Sequence, residues 1–304
     1  MDFEIFVDDS LVALGLTNGV QPFENKHLLS LTNDFEDGAW RQAKFDDFIW
    51  DNISQTALNA SEREALIDRH GSALRDAAKK LRMADSANDQ TEGSELAEIF
   101  LYGVMRHHFG ALSVVPKIYH KQNANDNAKG ADSVHIIVKG DGFTLWFGEA
   151  KFYSSIENSR LSAVVKSIER ALDKDKLKKE NSIVTGLSDL NDLGFDDTVV
   201  KSIKDALAPN VSIDKIKPLI NIPVLILHQC ELLSEHQELT DEYKKALIAH
   251  HTERAQSYFA KQCKLASKLH KYVDIKFHLI LFPVPNKQEI VDRFLSAARF
   301  HRGE

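Results

Sequence analysis

The sequence predicts an α/β protein in which helices cover a central mixed β-sheet. From Glu95 onward, apolar runs of strand length alternate with amphipathic helical segments, in the order α-β-β-β-α and then β-α-β-α. Such alternation is typical of helices packed on a sheet in an α/β fold. Of the 304 residues, 43% are hydrophobic and 27% are charged, which is the composition of an ordinary soluble globular protein.

The first part of the chain, residues 1–90, is rich in acidic residues. Its pattern predicts mixed structure at first and mostly helices after that. The segment FDDFIWDNI carries apolar side chains at helical spacing. Another helix is predicted after Ser61, which would be its N-cap, with Glu64 as the partner in a capping box. The polar stretch 84–94 predicts a linker. We therefore predict a boundary near residue 90. We take the acidic N-terminal portion and the later helices as candidates for binding a partner.

The second part, residues 91–304, begins with a predicted helix in ELAEIFLYGVMRHHFGA, which shows one broad apolar face. Three strands are predicted next, at 112–120, 132–138 and 143–151, and polar turns join them. The segment SRLSAVVKSIERAL then predicts an amphipathic helix. The basic segment KDKLKKE follows this helix, and we interpret it as a helix face exposed to solvent. The alternative is that it forms an edge that contacts DNA.

The remainder of the chain is predicted to add helical elaborations, towards the C-terminus, to the core that these helices and strands form. Residues 181–221 predict short helices and loops. Strands are predicted at 222–229 and at 274–284, where two prolines end the second strand. Long helices are predicted at 241–270 and at 286–300.

Charge and cysteine content narrow the functional classes. The formal net charge is −7, so we do not expect autonomous tight binding to DNA, which needs Lys and Arg to neutralise phosphates. A locally basic cleft, or a partner that delivers the DNA, stays compatible with this charge. The two cysteines, Cys230 and Cys263, predict neither a zinc site nor a disulfide framework. No signal peptide or membrane span is evident, so we expect a cytoplasmic location and no contact with a membrane.

The most informative stretch is GADSVHIIVKGDGFTLWFGEAKFY, residues 130–153. Alternation along a strand places Glu149 and Lys151 on one face and Ala150 on the other. If the KGDG turn makes a hairpin, Asp132 at the start of one strand lies beside Glu149 at the end of the other. Two close carboxylates repel unless a proton or a cation lies between them. The pattern predicts a site for Mg²⁺, with Mn²⁺ as a substitute, whose ligands are Asp132, Glu149 and the carbonyl of Ala150.

Lys151 adds a catalytic group to this predicted metal site. An ammonium there can orient or help to deprotonate a water, or stabilise negative charge on a phosphate oxygen. The combination predicts a metal-dependent phosphodiester hydrolase. The preceding helix offers Glu98 as a further catalytic residue and Glu95 as its alternative, although either glutamate can instead complement the helix dipole.

The histidines are predicted to be structural. His107 and His108 are neighbours on a helix and point about 100° apart, so they do not easily share one metal ion. We interpret both as partly exposed helix-end residues, and we interpret His250 and His251 in the same way. His135 lies on the opposite face of its strand from Asp132 and is expected to pack in the core.

These residues resemble the PD-(D/E)xK nuclease superfamily, which includes the restriction endonucleases. The resemblance covers about residues 92–175 and the later strand near 223–229, and it implies a restriction-endonuclease-like core. Its motif is an acidic residue on the first helix, an aspartate opening the second strand, and Glu-x-Lys ending the third. In this sequence the corresponding residues are Glu98 or Glu95, Asp132, Glu149 and Lys151.

Two positions depart from the pattern of that superfamily. Ala131 stands where many members have a proline before the aspartate. Some members also carry Gln-x-x-x-Tyr on the helix after the third strand, where this chain offers Arg160 and Lys166 as candidates for phosphate contacts.

A narrower resemblance is to the nuclease subunit of the Hachiman anti-phage defence system. It is carried by EGSELAEIFLYGVMRHHFG, GADSVHI and WFGEAKFY, together with the length and the acidic N-terminal portion. It implies a DNA endonuclease effector that a large helicase subunit holds in check until abnormal or invading DNA is sensed. Activation would then degrade DNA and arrest the infected cell. The alternatives are a catalytically inactive scaffold that regulates the helicase, or a ribonuclease, since nothing in the motif reads a 2′-OH.

Overall fold

The computed structural model describes residues 1–82, 93–115, 118, 131–140, 142–186 and 196–304. Within these residues the chain folds around a seven-stranded β-sheet, and a two-stranded ribbon lies apart from it. The strands are β1 (Glu4–Ser10), β2 (Lys26–Thr32), β3 (Phe35–Glu36), β4 (Ala39–Trp40), β5 (Leu112–Val115), β6 (Ser133–Lys139), β7 (Gly142–Tyr153), β8 (Ile220–Gln229) and β9 (Lys276–Val284). The order in the large sheet is β1-β2-β9-β8-β7-β6-β5.

The sheet is mixed, as predicted. The inner strands β2, β9, β8 and β7 are parallel to one another, whereas β1, β6 and β5 pair in the antiparallel sense. The central strand β8 reads INIPVLILHQ, and every residue except the last is buried. A parallel strand covered on both faces needs apolar residues at consecutive positions, which this sequence supplies.

Helices cover both faces of the sheet. Those within the described residues are α1 (Gln42–Ala57), α2 (Ala60–Ala65), α3 (His70–Lys79), α4 (Ser94–His107), α5 (Asn158–Ala171), α6 (Lys174–Gly186), α7 (Asp197–Ala206), α8 (Ile213–Ile216), α9 (Leu232–Glu235), α10 (Asp241–Ala266) and α11 (Lys287–Arg302). On one face, α5 and α10 pack against Val224 and Ile226 of β8. On the other face, α1, α4 and α11 pack against Leu225 and Leu227. The ends of the central strands are therefore the places where such a sheet offers polar side chains to a ligand.

The predicted order of elements after Glu95 is confirmed. The helix α4, the strands β5, β6 and β7, and the helix α5 follow one another, and β8, α10, β9 and α11 complete the series. Most of the predicted linker 84–94 lies outside the described residues, as does the turn before β6. No helix in the described part of the chain combines the length and the apolar character needed to cross a bilayer.

The N-terminal portion begins with strands and continues with helices, and two of its strands belong to the large sheet. Its strand β2 pairs in parallel with β9, from Lys26 opposite Phe277 to Ser30 opposite Leu281, so β1 and β2 belong to the same sheet as the later strands. The large sheet therefore contains strands from both sides of residue 90, where the sequence predicts a boundary.

The predicted cap at Ser61 is wrong. The helix α2 already begins at Ala60, so its N-cap is Asn59. The side chain of Asn59 accepts a hydrogen bond from the backbone N–H of Glu62 at 2.8 Å, and Glu62 completes the capping box. The single helix predicted after Ser61 is divided into α2 and α3.

Candidate active site

The hairpin of β6 and β7 brings the predicted acidic residues together. Ser133 lies opposite Gly148, and the backbone N–H of Asp132 donates to the carbonyl of Gly148 at 2.8 Å, so Asp132 is next to Glu149. Alternation along β7 places Glu149 and Lys151 on the same face as Phe147, towards α5 and α10. The hairpin, its register and the shared face of Glu149 and Lys151 therefore agree with the sequence analysis.

The ammonium of Lys151 lies at the centre of this group. Its Nζ is 2.6 Å from Glu149 Oε1 and 3.4 Å from Asp132 Oδ2. The same Nζ donates to the carbonyl oxygen of Ala150 at 3.1 Å. The backbone N–H of Ala150 in turn donates to Asp132 Oδ2 at 3.1 Å. Three oxygen atoms from three residues thus surround one cationic group.

Burial and charge set the protonation states of this cluster. Burial, followed by repulsion from Asp132, raises the pKa of Glu149, which is only 6% exposed. Burial would lower the pKa of Lys151, but the carboxylates of Asp132 and Glu149 outweigh it and raise that pKa above its ordinary value. Lys151 is therefore an ammonium at neutral pH, which can donate hydrogen bonds and balance negative charge but cannot accept a proton.

Ser167 is a site residue that the sequence analysis did not identify. It lies on α5, and its hydroxyl donates to Glu149 Oε1 at 2.7 Å. This hydrogen bond favours the ionised form of Glu149 and fixes the direction of the carboxylate. A serine on an amphipathic helix gives no warning of such a role, because it depends on how α5 docks on the sheet.

Glu180 on α6 supports the other side of the cluster. It is buried, and its Oε1 accepts a hydrogen bond from the backbone N–H of Ala131 at 3.2 Å, just before Asp132. A cavity of about 230 Å³ lies beside these residues and is lined by Glu149, Ser167 and Glu180. Arg170 and Lys176 also line it, so two cationic side chains flank the carboxylates.

The candidates on α4 lie on the other face of the sheet. A Cβ added to Gly148 would lie 2.7 Å from Leu101 Cδ2, and one added to Gly93 would lie 2.9 Å from Phe152 Cδ1. The helix therefore runs antiparallel along β7, and Glu98 lies between these contacts, at about the level of Ala150. Glu98 is buried at 3% exposure and approaches from the face opposite to Glu149 and Lys151.

Glu95 has a different environment from Glu98. It is half-buried, and its Oε1 accepts a hydrogen bond from the backbone N–H of Arg82, which follows α3. This contact ties the start of α4 to the end of the preceding helical segment. Of the two glutamates, Glu98 is thus the one that lies in the layer against β7.

The other predicted residues lie as follows. Arg160 on α5 lies over the ring of Tyr153, with 5.4 Å between the guanidinium carbon and the ring centre, and Lys166 is exposed on the same helix. His135 packs against Tyr102 at 4.6 Å between ring centres, on the α4 face, as predicted. His251 was expected to be partly exposed, but it is fully buried, because α10 turns it towards the sheet.

The molecule is thus a mixed α/β protein whose central sheet holds two carboxylates and a lysine where the start of β6 lies beside the second half of β7. The sequence model of the HamA family matches residues 8–298, and the chain belongs to that family. Members of the HamA family are components of the Hachiman defence system. No curated protein matches the chain.

Proposed function

We propose that this protein is the DNA-cleaving subunit of its defence system and hydrolyses phosphodiester bonds with the help of Mg²⁺. The observation that carries the proposal is the convergence of Asp132, Glu149 and the carbonyl of Ala150 on one point, which Lys151 Nζ marks. The resemblance to PD-(D/E)xK nucleases supports the same function, since it rests on these residues in this order.

The donor set fits a hard divalent cation. Asp132 Oδ2, Glu149 Oε1 and Ala150 O all lie within 3.4 Å of one ammonium nitrogen, so they already surround a small cation. Oxygen ligands of this kind suit Mg²⁺, and Mn²⁺ can take its place. When bound, such an ion supplies positive charge at the scissile phosphate and makes a coordinated water more acidic.

The residues of the chain have distinct roles in this proposal. Asp132, Glu149 and the Ala150 carbonyl hold the ion. Lys151, as an ammonium, orients the attacking water and stabilises the negative charge that develops on the phosphate. Ser167 donates a hydrogen bond that favours the ionised form of Glu149, and Glu98 is buried on the other face of the sheet.

Access of a nucleic acid to the site is supported by the local charge. The chain as a whole is acidic, with a net charge of −7, but Arg170 and Lys176 line the cavity beside Glu149. These two residues are candidates for contacts with the phosphate backbone. The overall acidity agrees with a partner helicase that supplies most of the DNA affinity.

The helicase contact is proposed for the exposed faces of the N-terminal helices. Asp47 and Asp51 are exposed on α1 and give this surface an acidic character. Deleting residues 1–85 would not test this assignment cleanly, because it would remove β1 and β2 from the central sheet.

The experiment is a cleavage assay on purified protein with and without the helicase. Substrates are supercoiled plasmid, linear duplex, single-stranded DNA and RNA, each with Mg²⁺ or with a chelator. We expect Mg²⁺-dependent DNA cleavage that Asp132→Asn and Glu149→Gln each reduce by at least about 100-fold. Asp205→Asn and Glu238→Gln serve as matched controls, because both positions are exposed and lie outside the site.

Three results would overturn the proposal. Cleavage of RNA alone would make the protein a ribonuclease. Equal activity of Glu149→Gln and wild type would place the chemistry elsewhere. Absence of cleavage under every condition, with normal binding to the helicase, would favour a scaffold that regulates the helicase.

A further inference from the structure

A second cluster of metal-ligating side chains lies one strand away from the candidate active site. His228 is the penultimate residue of β8, Cys230 follows the strand, and His250 is on α10. One ligand atom from each of the three residues lies within 4.8 Å of the others. In the register of the sheet, His228 pairs with Tyr153 and Ile226 pairs with Lys151, so the cluster is two residues further along the adjacent strand.

We propose that His228, Cys230 and His250 bind a zinc ion. Two imidazoles and one thiolate are a typical donor set for Zn²⁺, which accepts nitrogen and sulfur in a tetrahedral site. Tetrahedral Zn²⁺ spaces such ligand atoms about 3.5 Å apart, and the observed atoms lie within 4.8 Å of one another, so the group needs to close by up to about 1.3 Å. Rotation of the side chains can provide that closure. This inference is independent of the proposed nuclease activity.

The surroundings of the cluster leave room for a fourth ligand. A pocket of about 350 Å³ adjoins it and is lined by Cys230 and His250. Glu157, Glu231 and Glu235 also line this pocket, against the single cation of Arg254. Three carboxylates and one guanidinium give the pocket a negative balance, which favours a divalent cation. Zinc with three protein ligands and one open position is the arrangement of many sites that bind water or a substrate.

The hydrogen bonds of His228 show which of its nitrogens is the metal ligand. Its Nε2 is 3.0 Å from Nε2 of the buried His251, whose Nδ1 is 2.7 Å from Ser30 Oγ. Nε2 therefore faces the protein interior, and Nδ1 is the nitrogen that remains for zinc. Nδ1 lies 3.2 Å from the carbonyl of Gln229, which can only accept a hydrogen bond, so Nδ1 carries the proton in this arrangement.

Zinc binding requires this chain of hydrogen bonds to reverse. With Nδ1 on the metal, His228 donates from Nε2 to His251 Nε2, and His251 donates from Nδ1 to Ser30 Oγ. Each imidazole carries one proton both with and without the zinc ion. The hydrogen bonds between His228 and His251 and between His251 and Ser30 are present in both cases, with donor and acceptor exchanged. Ligating histidines commonly have such a partner on their second nitrogen, which orients the ring. The pair of His251 and Ser30 is therefore a built support for the proposed site.

The protons balance in the binding step. His250 and His228 enter as neutral imidazoles, since burial lowers the pKa of both. Cys230 enters as a thiol, because burial raises the pKa of its sulfur. The sulfur–zinc bond forms as the S–H bond breaks, and the released proton goes to solvent, so binding releases about one proton per ion.

The test is the metal content and the cobalt spectrum of the full chain. Protein purified without a chelator, and protein loaded with one equivalent of ZnCl₂ and then desalted, are analysed for zinc by mass spectrometry. Co²⁺ is titrated into the metal-free protein, where a thiolate ligand gives a charge-transfer band in the near ultraviolet. We expect about one zinc per chain in the wild type, and a tenfold or larger loss in Cys230→Ser and in His250→Gln.

Two matched variants separate this site from the rest of the molecule. Cys263→Ser removes the other cysteine of the sequence, and Glu149→Gln alters the candidate active site, so both should retain zinc and the charge-transfer band. Circular dichroism of each variant checks that it is folded, and Cys230→Ala repeats the test if Cys230→Ser does not fold. Wild type with less than about a tenth of a zinc per chain and no thiolate band would overturn the proposal. A band that persists in Cys230→Ser would do the same.

Discussion

Two groups of polar side chains lie on neighbouring strands and on the same face of the sheet, yet they suit different cations. The group on β6 and β7 offers oxygen atoms from Asp132, Glu149 and Ala150, and it contains its own cation in Lys151. The group at the end of β8 offers nitrogen and sulfur from neutral side chains. The fold provides both positions in the same way, through strand ends, so the donor atoms decide which ion each position can bind.

The difference in charge between the two groups has a further consequence. If the first group held no cation, neither a metal ion nor the ammonium of Lys151, the negative charges of two close carboxylates would be uncompensated, and one of these carboxylates is buried. Removal of a cation from the second group leaves uncharged side chains that keep their hydrogen bonds. The first group therefore needs an internal counter-ion when no metal is bound, and the second does not.

The largest effect that tests this comparison is expected for Lys151→Met. The ammonium contacts three oxygen atoms, so its loss should reduce the proposed nuclease activity by about 1000-fold or more. It should also destabilise the metal-free protein by roughly 3 kcal/mol, because a buried charge loses its partner. Mg²⁺ should restore much of this stability by replacing the ammonium. Thermal unfolding of both proteins, with a chelator and with Mg²⁺, measures the difference.

Lys201→Met is the control for that substitution, since Lys201 is exposed on α7. An equal effect of Mg²⁺ on the melting temperatures of wild type and Lys151→Met would show that no cation replaces the ammonium. The proposed difference between the two groups, that only the group on β6 and β7 needs a cation to balance its charge, would then be wrong.

A smaller effect is expected for His251→Leu. This substitution removes the partner of His228 Nε2 without touching the three proposed zinc ligands. Loss of such a supporting hydrogen bond should weaken zinc binding by about 10-fold to 100-fold. Competition against a zinc-binding dye measures the dissociation constant. An unchanged zinc affinity would mean that the hydrogen bond to His251 does not orient His228 for the metal.

The smallest effect is expected for Ser167→Ala, which removes one hydrogen bond to Glu149. The loss should reduce activity by about 3-fold to 10-fold. It also removes an interaction that lowers the pKa of Glu149, so that pKa should rise further. Since the proposed ligand is the ionised carboxylate, the acidic limb of the pH–activity profile should move to higher pH. Ser167→Thr keeps the hydroxyl and should retain a profile close to that of wild type.

A purely structural role of Ser167 would give a different result. It would lower activity at every pH by the same factor and leave the position of the acidic limb unchanged. The zinc content should be the same in both variants, because Ser167 lies on α5 and does not contact the cluster on β8.

The sequence was most informative where the structure is local. Asp132, Glu149 and Lys151 lie within one hairpin, whose register follows from a short turn and from strict alternation of side chains. Ser167 and Glu180 were not predicted, because their hydrogen bonds depend on the docking of α5 and α6 against the hairpin. No periodicity within those helices distinguishes a serine or glutamate that faces the site from one that faces solvent.

Contacts between residues that are far apart in the sequence could not be predicted from it. His228, Cys230 and His250 are not close enough in sequence to form a recognisable zinc motif, and they meet because α10 packs across the end of β8. The sequence argument against a zinc site counted cysteines alone, so it did not consider the histidines that take part in the proposed site. The place of β1 and β2 was missed for a similar reason, because β2 pairs with a strand near the other end of the chain.

That pairing of β2 with β9 has a consequence for how the protein is made. The side chain of Asn25, at the start of β2, donates to the carbonyl of Ile275, which is 250 residues away. At ordinary rates of translation, β2 waits about 10 to 50 seconds on the ribosome before its partner strand is synthesised. During this time its edge is unpaired on the side that β9 will cover. A chain that stops early cannot complete the central sheet, so the folding of this protein is coupled to the synthesis of almost its entire length.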